Sequence, residues 1–116
     1  MTTLCLRIGT AGWSVPSRFA ALVPAGGSHL ERYVRCFDGA EINSSFHRPH
    51  QRKTYERWAQ STPSSFRFSV KIPKSISHEQ GLAGCGALLD SFAAEVAGLG
   101  DRLGVLLLQL PPKLAL

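Results

Sequence analysis

The sequence predicts an α/β domain built on a parallel sheet, and three observations carry that prediction. Short β-rich runs alternate with stretches whose apolar residues recur at helical spacing, in the order strand, helix, strand, helix, strand, helix, strand. The last run, VLLLQL at 105–110, is apolar almost throughout, as expected of a strand covered on both faces. Strands separated by helices imply crossover connections, and therefore parallel neighbours in the order 1-2-3-4 with the helices on one side.

Residues 4–9, LCLRIG, alternate and end in glycine, so they read as the first strand. GTAGWS breaks that regularity at Gly9 and Gly12, and a loop with Pro16, Pro24, Gly26 and Gly27 follows. Ser28 and Glu31 form a capping box that starts a helix with the apolar face Leu30, Tyr33, Val34 and Phe37. Gly39 precedes the second strand, 40–44. Pro49 opens the next helical segment, whose face is Tyr55, Trp58, Ala59 and Thr62, ending before Pro63. FRFSVKIP, 66–73, alternates over its whole length and is the third strand. After Gly81, Gly84 and Gly86 comes a third helical stripe, Leu88, Leu89, Phe92, Val96 and Leu99, stopped at Gly100. The fourth strand, 105–110, ends at Pro111 and Pro112.

A length of 116 residues predicts a single domain, 1–116, that buries roughly two-thirds of its unfolded surface. No apolar run approaches the roughly 18 residues that span a bilayer, and MTTLCLRIG is too quickly polar for a signal peptide. The expected location is the cytoplasm, with no membrane partner. Cys5, Cys36 and Cys85 are widely spaced, which fits reduced thiols and gives no metal signature. Cys5 and Cys36 stand in apolar segments, and the expectation for both is burial.

Chemistry concentrates at 40–46, AEINSSF. In an extended chain Ala40, Ile42 and Ser44 point one way, and Glu41, Asn43 and Ser45 the other. A carboxylate on the face of a buried strand costs several kcal/mol to desolvate without a partner, so it marks a site or a mouth open to water. On the third strand Arg67, Ser69 and Lys71 share one face, and on the fourth Gln109 shares the face of Val105 and Leu107. Strands two to four thus carry Glu41 and Asn43, Lys71, and Gln109 toward their carboxyl ends, the edge where α/β sheets and barrels place active sites. With neighbouring strands about 4.8 Å apart, Glu41 and Lys71 are expected to meet. Two readings stand together: a polar cluster for acid–base work or anion capture, or a buried ion pair that only sets register.

Seven of the thirteen basic residues fall between Arg48 and Lys74, opposed only by Glu56. Such an excess attracts phosphate or nucleic acid, or is simply a solvated helix face. His29 and His50, near helix starts, are expected to be solvated. His47 and His78 follow strands two and three and are candidate bases or ligands. Trp13 after Gly12 either walls a pocket or plugs the top of the sheet. No P-loop, G-x-G-x-x-G or G-x-S-x-G occurs, so nothing speaks for a nucleotide cofactor or a serine hydrolase elbow, and the cofactor stays unspecified.

IGTAGWS (8–14), AEINSSF (40–46), RWAQSTP (57–63), FRFSVKIP (66–73), SISH (75–78) and LGVLLLQLPP (103–112) resemble the YecE-like family, domain of unknown function 72, in family order. The resemblance implies parallel β/α units of a TIM-type barrel. It also implies that Gly9, Thr10, Gly12, Trp13, Glu41, Asn43, Ser44, Lys71, His78, Gln109 and Pro111 belong to the barrel mouth. His47 departs from the pattern, where a tyrosine is usual. A full barrel needs eight strands and about 250 residues, so four strands amount to half of one. The expectation is a truncated fragment of a longer barrel, or two half-barrels that self-associate over the uncovered face.

The functional expectation is an enzyme-like barrel whose mouth binds a polar, anionic small molecule. Lys71 holds the anion, Glu41 acts as general acid or base, and Trp13, Asn43, His78 and Gln109 bind and orient the substrate. The alternative from another class is a nucleic-acid or phosphate-binding module without catalysis, using the basic stretch, and a third reading is an inactive truncated fragment.

Overall fold

The computed structural model describes residues 5–114. Among them β1 (Gly9–Ala11), β2 (Gly39–Ile42), β3 (Arg67–Lys71) and β4 (Leu103–Leu107) form one sheet in the order β1-β2-β3-β4. All three neighbouring pairs are parallel. The connections carry α1 (His29–Tyr33), α2 (Ser44–His47), α3 (Arg52–Gln60) and α4 (Gly86–Val96), with tighter 3-10 turns at Ser17–Leu22 and Ala97–Arg102. A single π-turn, Ser75–Glu79, follows β3.

The helices cover one face of the sheet. Ala40, Ile42, Phe68 and Val70 turn toward it and are buried with Leu30, Tyr33, Tyr55, Phe92, Val96 and Leu99. Each fully buried large apolar side chain of this cluster contributes about 1.5–3 kcal/mol. The alternate residues, Glu41, Arg67, Ser69 and Lys71, stay partly exposed on the other face. That face is an open trough of about 740 Å³, lined by Arg7, Glu41, Arg67, Ser69 and Val105 among others. The parity read from β2 and β3 is therefore the parity of the fold.

Tyr33 ties α1 to the sheet. Its buried hydroxyl accepts from Thr10 N at 2.7 Å, donates to Gly39 O at 2.9 Å and lies 3.0 Å from Thr10 Oγ1. The expected capping box at Ser28 and Glu31 is present in full. The face of α3 is also as expected, with Tyr55 and Thr62 buried and Trp58 and Ala59 packed on the core.

Several boundaries depart from expectation. The first strand is Gly9–Ala11, and described residues 5–8 are not strand; residue 4 lies outside the described residues. The reason is close approach, since a Cβ at Gly9 would collide with the Gly39 carbonyl. Only the glycine pair lets β1 reach β2, whereas Leu6 and Ile8 remain exposed. The second strand stops at Ile42, because Asn43 turns into helical backbone and starts α2.

The fourth strand runs Leu103–Leu107, so Gln109 lies beyond the sheet and is exposed. It is also not covered on both faces. As an edge strand it leaves Val105, Leu106 and Leu107 exposed, together with Leu108 beyond its end. Cys5 and Cys36, expected to be buried, are both exposed, and Cys85 is the buried one. Cys5 precedes the paired part of β1, and Cys36 falls after α1 on the side away from the core. In the last stripe Phe92, Val96 and Leu99 are buried, while Leu88 and Leu89 are exposed.

Candidate functional site

Glycine again opens the site. Gly12 follows β1 with φ of +74°, a conformation other residues avoid, and its N–H donates to Glu41 O at 2.9 Å. This turn carries Trp13 over the carboxyl ends of β1 and β2. The indole packs edge-on against Trp58 (5.1 Å between centroids) and Phe68 (5.8 Å). Trp13 thus both plugs the core and walls a groove of about 330 Å³ that also takes in Glu41, Asn43 and Ser44. Asn43 stands at the capping position of α2, a place where its side chain is normally consumed. Here it makes no capping bond, so its carboxamide is left for the groove.

The two serines of the motif have opposite fates. Ser45 is buried, and its hydroxyl donates to Lys71 O at 2.6 Å and approaches Ile42 O at 3.2 Å. Parity had put it beside Glu41, but the helical turn at Asn43 swings it between β2 and β3. Ser44 is exposed, and its Oγ lies 2.7 Å from His50 Nε2. His50 was expected in solvent. Instead it is half-buried, edge-on to Trp58 at 5.3 Å and to Tyr55 at 5.8 Å. Burial first, and the Arg48 guanidinium second, hold its pKa below the ordinary histidine value. The available signal was the matched Ser44 followed by a histidine six residues on; only the reversal of the chain after α2 brings them together.

Lys71 does not join Glu41. Glu41 is paired with Ser69, so Lys71 stands two residues, about 6–7 Å, farther along β3. Among the described residues the only ion pair is Arg102 with Asp101. The Lys71 ammonium instead lies over the Phe46 ring, 4.3 Å from its centroid. His47 and His78 meet the same ring edge-on at 5.2 and 5.1 Å, and His78 Nδ1 is 2.7 Å from Ser77 Oγ. The mouth therefore divides in two around α2. Trp13, Glu41, Asn43 and Ser44 form the groove, and Lys71, His78, His47 and Phe46 form a cationic–aromatic cluster beside it. Gln109 joins neither group by any hydrogen bond among the described residues.

The basic stretch is not one patch. Arg52, Lys53 and Arg57 are exposed on α3, and Arg67 sits at the opposite end of β3 from Lys71. The Arg67 guanidinium is spent on the carbonyls of Ser64 and Phe66. Among the described residues no three His, Cys, Asp or Glu side chains converge as a metal site would require, and no helix is long and apolar enough to cross a membrane.

The family model described as "Protein of unknown function DUF72" matches residues 7–116. The chain belongs to the DUF72 family. It is 35% identical over 106 residues to the UPF0759 protein YecE of Escherichia coli K12, covering 91% of this chain and 38% of that protein. The UPF0759 protein YunF of Bacillus subtilis 168 is 26% identical over 113 residues, covering 92% of this chain and 40% of its own length. The chain thus spans about two-fifths of the curated relatives it matches. A DUF72 family crystal structure from Enterococcus faecalis V583 superposes with a TM-score of 0.76 at 21% identity, over 92% of this chain and 40% of that one. That likeness concerns the fold: in this DUF72 chain four parallel strands with three helical connections make up part of a TIM-type barrel, with the groove at the carboxyl edge.

Proposed function

We propose that this chain supplies the substrate-binding mouth of an enzyme-like barrel that takes a small, hydroxylated and anionic molecule. The observation that carries the reading is the groove that gathers Trp13, Glu41, Asn43 and Ser44 at the carboxyl ends of β1 and β2. Carboxyl edges are where sheets of this class bind and react with ligands, because loops there are free to vary over a rigid scaffold. Glu41, which has no ion-pair partner among the described residues, favours hydroxyl donors and disfavours an anion at its own position. The anionic end of the ligand belongs beside α2, where Lys71 lies with its ammonium on Phe46. Glu41 serves as general acid or base and Asn43 as orienting group, while Trp13 supplies an apolar wall. A cytoplasmic location belongs to the same reading and agrees with three cysteines that are all free thiols.

The test uses glycerol 3-phosphate as a probe that carries both hydroxyls and an anion, with inorganic phosphate for comparison. Amide NMR of the chain should show the Asn43 carboxamide and the Trp13 indole shifting on titration. Glu41→Gln and Lys71→Met should each weaken binding about tenfold, which corresponds to roughly 1.4 kcal/mol. Shifts confined to Arg52, Lys53 and Arg57, insensitive to Glu41→Gln, would replace this reading with non-catalytic phosphate binding on α3.

A further inference from the structure

We propose that Ser44 and His50 form a nucleophile–base pair at the rim of the groove, giving the site an acyl-transfer activity toward small polar esters. The inference rests on the groove being the substrate site and names the group that reacts there. Its geometric basis is the 2.7 Å separation of Ser44 Oγ and His50 Nε2, the distance at which a base takes a hydroxyl proton. Ser44 is exposed to the groove, whereas Ser45 next to it is buried and committed to the Lys71 carbonyl. One serine is thus a structural clamp, and the other presents its oxygen to a ligand.

The histidine is placed as a base should be. Edge contacts with Tyr55 and Trp58 fix the plane of its ring, so that Nε2 stays aimed at Ser44. Burial and the nearby Arg48 oppose the imidazolium, which leaves a neutral ring with an accepting lone pair near pH 7. Among the described residues His50 Nδ1 has no hydrogen-bond partner, so the arrangement is a dyad without a third orienting side chain. The unused Asn43 carboxamide stands on the groove beside Ser44, where it can donate to a developing oxyanion.

The reaction balances within these groups plus water. Ser44 Oγ bonds to the ester carbonyl carbon as its proton passes to His50 Nε2. The ester C–O bond then breaks, and His50 returns the proton to the departing alcohol oxygen. Water, giving a proton to His50, attacks the acyl-Ser44, and the acid leaves as Ser44 regains its proton. The net change is ester plus water to acid plus alcohol.

The experiment treats the 116-residue chain with a phosphonofluoridate, whose P–F bond breaks as Ser44 Oγ bonds to phosphorus, and maps the adduct by peptide mass spectrometry. The expected result is one adduct, at Ser44, absent in Ser44→Ala and formed about 100-fold more slowly in His50→Gln. Labelling of Ser44 at equal rates in wild type and folded His50→Gln overturns the dyad. So does failure of the wild type to label, whether or not the variant folds. The glycerol 3-phosphate titration separates the two claims: Asn43 shifts without Ser44 labelling leave the binding reading standing and remove the dyad. His50-dependent labelling without those shifts supports the dyad and removes the hydroxylated, anionic substrate.

Discussion

The Lys71 ammonium rests 4.3 Å from the centroid of the Phe46 ring, so that a cation from β3 and an aromatic side chain from α2 close over the carboxyl ends of the central strands. At a partly exposed site such a contact contributes about 0.5–1 kcal/mol. A double-mutant cycle of Phe46→Leu with Lys71→Met should return a coupling of that size in urea denaturation. The cycle of Glu41→Gln with Lys71→Met should return almost none. A larger coupling in the second cycle than in the first would restore the ion pair that the strand register denies.

Tyr33→Phe should cost about 1–3 kcal/mol, because it strands the buried Gly39 carbonyl and takes the acceptor from the part-buried Thr10 N–H that the hydroxyl now serves. The damage should be local to β1. Hydrogen exchange would then show the Thr10 amide losing protection far more than amides of β3, and uniform loss across the sheet would contradict this role.

Tyr55 presents the opposite case. Its hydroxyl is buried and has no well-aligned partner among the described residues, since the neighbouring Ser45 gives its proton to Lys71 O. Burial, helped by the Glu95 carboxylate, pushes the Tyr55 pKa up to about 12. Tyr55→Phe should therefore be neutral or slightly stabilising near pH 7. The folded pKa lies above the unfolded value of about 10. Stability tied to this group is thus fully present below that value and lost as pH rises toward 12. The wild type should weaken more than Tyr55→Phe across that window, and parallel pH curves would sink the assignment.

His50 works with the other sign. Its folded pKa is depressed, so the unfolded chain binds the proton more readily, and stability is present above the ordinary histidine value of about 6.5. It declines as pH falls below that value toward the folded pKa. Denaturation midpoints at pH 7.5 and pH 5 should differ more in wild type than in His50→Gln. The groups that set this are the Tyr55 and Trp58 rings that bury the imidazole and, second, the Arg48 charge.

The β4 edge carries exposed Val105, Leu106 and Leu107, followed by Leu108, and β1 leaves a second open edge. Unpaired apolar strands recruit partners. At micromolar concentration the chain should sediment as more than a monomer, and Val105→Lys with Leu107→Lys should reduce that association. A well-folded wild-type monomer over the whole concentration range would count against it.

Alternation of apolar and polar residues was enough to establish the order of elements, the parallel sheet, the polar face of β3 and the Ser28 capping box, because these depend on periods of two and 3.6 that neighbours in the chain set for themselves. That the motif 40–46 gathers polar side chains at the carboxyl end of β2 was legible for the same reason. Local pattern did not reveal that GTA is strand, that β4 is an open edge, or that Cys5 and Cys36 face outward. Those outcomes depend on how closely two backbones approach and on which strand has no neighbour. Nor did parity hold past Ile42, where Asn43 enters α2 and sends Ser45 inward and Ser44 outward. The partners of Lys71 and Ser44 lie in other segments: Phe46 is 25 residues before Lys71, and His50 is reached only after the chain reverses. Register and chain reversal are properties of the packed sheet, and they decided which side chains meet.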